Sequence, residues 1–254
     1  MEKMIMVLDD EPRVSVIVPC RNEKDMIQEI VDRVPDMGSG TDIIFVEGHS
    51  VDGTLQEIDR VKKLNPHKAI SCFTQLGEGK YDAIKTGMRH VTGDIVMIVD
   101  ADLTVPPEEL ALFYDALVKK KGDFINGTRF IHAMENGSMP KLNWYANKFF
   151  SYWFSNILRQ RVTDTLCGTK VFWFSDYQDN ICCVDRHLKG DPFGDFTLLV
   201  KTVPKALKIV EIPVHYKKRR YGVTKIRRFY HGIQLMKLAL KGAYCANRYR
   251  LFGK

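Results

Sequence analysis

The feature that most constrains this chain is a repeated change of hydrophobic period. Apolar, β-branched runs alternate with helix-patterned stretches through the first half of the sequence. "VSVIVP" (14–19) precedes a helical pattern from Glu23 to Val34 that stops before Pro35. "DIIFVE" (42–47) precedes another from Thr54 to Leu64, closed by Asn65-Pro66. "AISCFT" (69–74) leads through a Gly-containing turn into Tyr81–Val91. "DIVMIVD" (94–100) leads to a helix opened by Pro106-Pro107 and running to about Lys119, and "DFINGTR" (123–129) reads as a fifth strand. Strands that alternate with helices build a mostly parallel sheet covered on both faces. The expected fold class is therefore α/β, and such sheets bind ligands beyond the carboxyl ends of their strands. Pro19–Glu23, Glu47–Thr54, Gln75–Lys80 and Asp100–Thr104 are the stretches to search. All four are polar or contain glycine.

After Arg129 the texture changes. "KLNWYANKFFSYWFSNIL" (141–158) is helical, with aromatic residues over most of its surface, so it belongs either in the core or against something oily. "VTDTLCGTKVFWF" (162–174) is a loop entering a strand, "PFGDFTLLVKTV" (192–203) has helical spacing, and "LKIVEIPV" (207–214) is a strand. "KKRRYGVTKI" (217–226) is a basic loop. No linker divides the 254 residues, a length that fits one large domain or two small ones. The expected organisation is an extension over 1–12, one domain over 13–228, and a basic amphipathic helix over 229–254.

Charge is unevenly spread. The chain carries a net +7, yet residues 201–254 hold fifteen Lys or Arg against one acid, Glu211, leaving the rest net acidic. A tail this basic implies an anionic partner: phosphate, membrane surface or nucleic acid. Six scattered cysteines, without a CxxC spacing, read as reduced core residues of a cytosolic protein. The N-terminal "MEKMIMVLDDEPR" is too short and too acidic for a secretory signal. No uncharged apolar run approaches the ~20 residues of a membrane span.

Three constellations carry chemistry. Asp100-Ala101-Asp102 places two carboxylates at the end of an apolar strand, separated by a small residue. Such a pair can share Mg²⁺ or Mn²⁺, with diphosphate oxygens and water completing the shell. The simpler alternative is an acidic turn that stops a strand. In "VPCRNE" (18–23) Asn22 and Glu23 stand where a helix begins, as a cap and as a dipole-matched acid. In "VEGHSVDGT" (46–54) the acid Glu47 ends a strand before a Gly-containing turn; exposed, it would accept N–H groups from a nucleobase, or else it is merely solvated.

Taken in order, "VSVIVPCRNE", "VEGHSVDGT", "GEGKYDAIKTG" and "IVMIVDADLTVPPEEL" resemble the family-2 glycosyltransferases of GT-A fold. Within them the chain is most similar to the dolichyl-phosphate mannosyltransferase-like branch, which transfers sugars to polyprenyl phosphate. "NGTR" (126–129), "YAN" (145–147), "DTLCGTK" (164–170), "FGDF" (193–196) and "EIPVHYKKRRYGVTK" (211–225) extend the resemblance over roughly residues 13–230. It implies that Pro19, Asn22, Glu23, Glu47, Gly79, Lys80, Asp100, Ala101 and Asp102 bind the nucleotide-sugar. Asp100 and Asp102 would hold Mg²⁺ or Mn²⁺, and Arg129, Lys141, Arg219 and Lys225 would meet phosphate of donor or acceptor. Asp102, Arg129 and Asp195 would form the catalytic group. Glu47-Gly48-His49 stands where the family usually has Asp-Asp-Gly, which leaves the base, uridine or guanosine, open.

The implied activity is inverting transfer of one sugar from a UDP- or GDP-sugar to dolichyl or undecaprenyl phosphate. The implied setting is the cytoplasmic face of a membrane, held peripherally through anionic lipid. An acceptor phosphate is already an anion and needs no strong general base. The basic helix would lie at an anionic surface, each Lys or Arg contributing about 1 kcal/mol. Two rivals remain: transfer to a soluble or glycan hydroxyl with Asp195 as base, and a non-catalytic nucleotide-binding protein recruited to membranes. A sugar-nucleotidyltransferase would carry glycines after its first strand, and "PCRNEK" has none. Nucleic acid is not an expected partner, since no module signature for it is present.

Overall fold

The structure is a computed structural model that describes residues 11–132, 139–178, 184, 188, 190–220 and 228–252. Its strands are β1 Val14–Cys20, β2 Thr41–Glu47, β3 Ala69–Thr74, β4 Ile95–Ile98, β5 Phe124–Thr128, β6 Lys170–Trp173 and β7 Ile209–Pro213. Its α-helices are α1 Ile27–Arg33, α2 Thr54–Leu64, α3 Lys80–Met88, α4 Leu110–Val118, α5 Lys141–Leu158, α6 Phe174–Gln178, α7 Asp195–Val200 and α8 Arg228–Phe252. Short 3₁₀ turns over Lys24–Met26 and Pro107–Glu109 lead into α1 and α4.

The strands form one sheet in the order β3-β2-β1-β4-β6-β5-β7. Neighbours pair in parallel except β6, which is antiparallel to both β4 and β5. This reversal matters for function. The carboxyl ends of the other strands lie along one edge, and β6 delivers its first residue, Lys170, to that same edge, opposite Ile98 and Asn126.

Alternate residues of each strand enter two apolar layers, as the period of two requires. Val16, Val18, Phe45, Met97 and Ile125 meet Ile27, Ile30, Ile58, Phe113 and Leu117 of α1, α2 and α4. Ile17, Ile44, Ile98 and Phe172 meet Ile84, Phe154, Phe196 and Leu238 of α3, α5, α7 and α8. The inner face of the C-terminal helix thus belongs to the main core. Arg250 ties it further, donating to the Ile157 carbonyl at the end of α5.

Both long helices are two-faced. α5 buries Phe150, Phe154 and Ile157 but turns Leu142, Tyr145, Phe149 and Tyr152 outward. α8 turns out Ile233, Met236, Leu240 and Tyr244 among the exposed Lys237, Lys241 and Arg248. No helix among the described residues is long and apolar enough to cross a membrane. Cys20, Cys167 and Cys245 are buried and Cys72 is half-buried; Cys182, Cys183 and Lys225 lie outside the described residues.

Several elements are shorter than their sequence patterns, α7 and β7 among them. β4 ends at Ile98, so Asp100 stands two residues past the strand. α3 ends at Met88, and α1 begins only at Ile27. The expected cap at Asn22 does not form. Asn22 instead takes left-handed backbone (φ 51°), and its Oδ1 accepts from Val51 N at 2.9 Å in the next loop.

Candidate active site

The polar residues at the carboxyl edge form a ring of paired charges. Asp100 follows β4, and Lys80, the first residue of α3, places its Nζ 2.5 Å from Asp100 Oδ1. Gly79 enters that helix at φ 86°, a conformation glycine adopts without strain, and Lys80 N donates to Pro192 O at 3.1 Å. Desolvation at the turn would raise the Asp100 carboxyl, but Lys80, with Arg129 and Lys170 behind it, holds it below the ordinary carboxylate range. Asp102 forms the outer corner. Its Oδ1 accepts from Thr104 N (3.2 Å) and Oγ1 (2.8 Å), closing the turn. Its Oδ2 accepts from Arg219 Nη2 (2.9 Å) and Nε (3.3 Å), and the same Nη2 stands 3.3 Å from Glu23 Oε1.

The turn itself is held out of regular backbone. Leu103, a bulky residue, has φ 54°, while Asn22 and His49 in the loops after β1 and β2 have φ 51° and 59°. Positive φ at such residues costs about 1–3 kcal/mol each and persists where the surroundings over-determine it. Ala101 is buried beneath the turn. Across it lies Gly168, where a Cβ would come 1.9 Å from Asp100 Oδ2. Only glycine leaves that carboxylate its position.

A second tier lies behind these acids. Arg129, just past β5, is gripped by Asp164, whose Oδ2 accepts from Nε at 2.7 Å and whose Oδ1 accepts from Nη2 at 2.8 Å. Asp164 Oδ1 also accepts from Asn147 Nδ2 (2.7 Å) and Leu166 N (3.1 Å). Desolvation would raise the Asp164 carboxyl, yet Arg129 and Asn147 hold it low. The Tyr216 ring lies 5.1 Å from the Arg129 guanidinium, a cation–π contact. Beneath them, Glu211 of β7 accepts from Thr163 N and Asp164 N, and from Asn126 Nδ2 at 3.2 Å; burial raises its carboxyl. Lys170 is fully buried, with its Nζ 3.0 Å from Asp195 Oδ1, 3.1 Å from Asn126 Oδ1 and 2.6 Å from Cys167 O.

The structure therefore brings together Glu23, Lys80, Asp100, Asp102, Arg129, Asp195 and Arg219 around one edge. Pro19 lies in β1, one residue before its end, beside Val46 of β2. Lys141 is the exposed first residue of α5. Glu47 departs from the expectation of an exposed acid: it is buried, and its carboxylate accepts from the backbone N–H of His49 (3.1 Å) and Ser50 (2.5 Å). It closes its own loop, residues 47–50, from within. Asp164, Lys170, Asn126, Asn147 and Gly168 carry no individual role in the sequence reading. Their signal is a polar or Gly residue set in otherwise apolar stretches, inside "NGT", "YAN" and "DTLCGTK".

Residues 15–180 match the glycosyl transferase family 2 domain, well over half of the chain, and the chain belongs to that family. Its fold is similar to glucosyl-3-phosphoglycerate synthase from Mycobacterium tuberculosis in complex with Mn²⁺, UDP and glucosyl-3-phosphoglycerate. That match has 14% identity and a TM-score of 0.65, covering 93% of this chain and 80% of that one. It is also similar to mannosyltransferase PcManGT from Pyrobaculum calidifontis in complex with GDP-Man and Mn²⁺, at 20% identity and TM-score 0.56, covering 96% and 76%. TarS residues 1–349 of S. aureus with UDP-GlcNAc match at 18% identity and TM-score 0.58, covering 94% and 73%. The chain is a glycosyltransferase with the GT-A fold, a class that draws its sugar from nucleotide-sugar donors.

The residues present fit a divalent cation. Asp100 and Asp102 offer hard carboxylate oxygens, as Mg²⁺ or Mn²⁺ requires, and Gly168 keeps the approach to Asp100 clear of a side chain. Among the described residues no third His, Cys, Asp or Glu joins them to make a protein-only metal cage. The remaining ligands would be diphosphate oxygens and water.

Proposed function

We propose that this protein moves a single sugar from a UDP- or GDP-sugar onto polyprenyl phosphate, with inversion at the anomeric carbon, at the cytoplasmic face of a membrane. The observation that carries the acceptor assignment is the Lys170–Asp195 pair. The acid that a hydroxyl-directed transferase would use as base has Oδ1 3.0 Å from a fully buried ammonium. That carboxylate is engaged by a cation rather than turned free to receive a proton. A phosphate acceptor arrives ionised, so it needs positive charge to hold it in line and nothing to deprotonate it.

In the transfer, an acceptor phosphate oxygen forms a bond to the anomeric carbon while the bond from that carbon to the donor diphosphate breaks. The nucleoside diphosphate leaves with the electron pair. A divalent cation held by Asp100 and Asp102 supplies positive charge to that leaving group when bound. Lys80 and Arg219 add protein charge at the same place, and Arg129, fixed by Asp164, faces the phosphates. The two-faced helices α5 and α8 support a membrane setting, since exposed apolar and aromatic side chains interleaved with Lys and Arg suit an anionic interface.

The hydroxyl-acceptor reading keeps one observation of its own: glucosyl-3-phosphoglycerate synthase is seen with glucosyl-3-phosphoglycerate, which is no lipid. Asp195→Asn separates the two readings. The amide also leaves buried Lys170 without its carboxylate, so turnover is read per folded protein, from a urea or thermal scan. With polyprenyl phosphate as acceptor it should stay within about tenfold of wild type. Loss of the ~10²–10⁴ that a general base contributes would favour the hydroxyl acceptor.

A further inference from the structure

Glu23, Asp100 and Asp102, three of the four acids expected to meet the metal or donor, already hold a protein cation. Lys80 Nζ lies 2.5 Å from Asp100, and Arg219 bridges Asp102 and Glu23 at 2.9 and 3.3 Å. Arg219 is brought there by a segment tied down along its length. Val214 N donates to Thr128 O (2.9 Å), His215 N and Nδ1 meet the Glu109 carboxylate, and Lys217 N donates to Thr104 O (2.8 Å) inside the Asp102 turn. The contacts are therefore built into the fold from two sides.

Consider what each ligand meets alone. A divalent cation alone must share both carboxylates with an ammonium and a guanidinium, or displace them, and in either case sits beside two positive charges that repel it. A nucleoside diphosphate alone brings its negative charge beside Glu23, Asp100 and Asp102. Arriving together they permit an exchange: the acids pass to the metal, and Lys80 and Arg219 pass to diphosphate oxygens. Opposite charges remain matched throughout only in this joint event.

We propose that Lys80 and Arg219 are resident counter-ions of the Asp100–Asp102 site, displaced by Mg²⁺ or Mn²⁺ only when a nucleoside diphosphate is present to receive them. This rests on the assignment of metal and diphosphate to Asp100 and Asp102 made above. Metal and nucleotide then bind with positive coupling, equal in both directions by linkage. Part of that coupling belongs to the protein's own cations rather than to metal–phosphate bonds.

The test is a titration of the full chain with Mn²⁺, reading free Mn²⁺ by electron paramagnetic resonance, with and without saturating UDP or GDP. Wild type should bind Mn²⁺ at least about tenfold more tightly with the better nucleotide. Arg219→Gln should bind Mn²⁺ alone about fivefold or more tightly than wild type, while its coupling to nucleotide shrinks. Arg219 is partly exposed, so a melting curve suffices to show that the variant folds; Lys80→Met is the second variant with the same expected sign. Nucleotide-free Mn²⁺ affinity that is unchanged or weakened in the folded variants overturns the proposal. Failure of the underlying assignment looks different: Asp102→Asn would then leave nucleotide-dependent Mn²⁺ binding intact.

Discussion

Asp164→Asn is the most informative single substitution in the second tier. The Asp164 side chain is fully buried, that of its partner Arg129 is 12% exposed, and two N–H···O contacts of 2.7 and 2.8 Å join them. The amide keeps the shape and one acceptor for Asn147, but it presents an NH₂ to a guanidinium and removes the compensating charge. Removing one partner of a buried ion pair costs about 3–5 kcal/mol, because the other charge is left in a poorly solvating place. For a chain of this size each kcal/mol shifts the melting temperature by roughly 2–4 °C, so a drop of roughly 10 °C is expected. Urea unfolding monitored by tryptophan fluorescence, alongside a thermal scan, measures both quantities.

The pH dependence gives an independent sign. The folded-state carboxyl is held below its unfolded value, so the stabilisation is complete above about pH 4 and fades as pH falls through the folded value. The gap between wild type and Asp164→Asn should be flat from about pH 5 to 8 and narrow under acid. Arg129→Met combined with Asp164→Leu should recover much of the stability while abolishing transfer, since a buried pair is often replaceable as a unit. A loss below about 1 kcal/mol for Asp164→Asn, the scale of an exposed pair, would refute the claim that Arg129 is fixed in a desolvated clamp.

Three further outcomes follow from the same geometry. Gly168→Ala puts a methyl where Asp100 Oδ2 stands; displacing that carboxylate by about 1 Å should lower kcat about 10²-fold, read in a steady-state assay with circular dichroism confirming the fold. Lys170→Met leaves Asp195 buried without its ammonium and should destabilise by about 3–5 kcal/mol in urea, whereas Lys119→Met, on an exposed pair with Asp115, should change little. Burial pushes the Cys167 thiol up to about 12 and the Cys72 thiol up to about 11; peptide mapping after iodoacetamide at pH 8 should find both unmodified in native protein and labelled in urea.

Much of the frame was legible because burial imposes a period. β-branched runs bounded by Pro, Asn and Gly gave β1 to β5 in position, and the strand ends pointed to the edge where the paired charges gather. Spatial order was another matter. Nothing local in "KVFW" says that β6 inserts between β4 and β5 in reverse, yet that insertion carries Lys170 to the site. The paired acids were readable from their position past an apolar strand. Their partners were not, because Arg129 and Asp164 are 35 residues apart and Asp102 and Arg219 are 117 apart. Glu47 looks like a solvated loop acid in sequence, and it is buried because its own loop turns two backbone N–H groups back onto it. Asn22 looks like a cap, but its left-handed backbone turns the side chain to Val51 instead.

The central claim is that the sugar leaves a nucleotide on Asp100 and Asp102 and arrives on a lipid phosphate. The most direct measurement incubates the purified chain with Mn²⁺, radiolabelled UDP- and GDP-sugars, and vesicles carrying polyprenyl phosphate or the corresponding polyprenol. Label should pass into the organic phase only with the phosphorylated lipid, be released by mild acid as a glycosyl phosphate is, and vanish with Asp102→Asn. Transfer to polyprenol or to a soluble hydroxyl acceptor, with none to the lipid phosphate under any donor, would contradict the account.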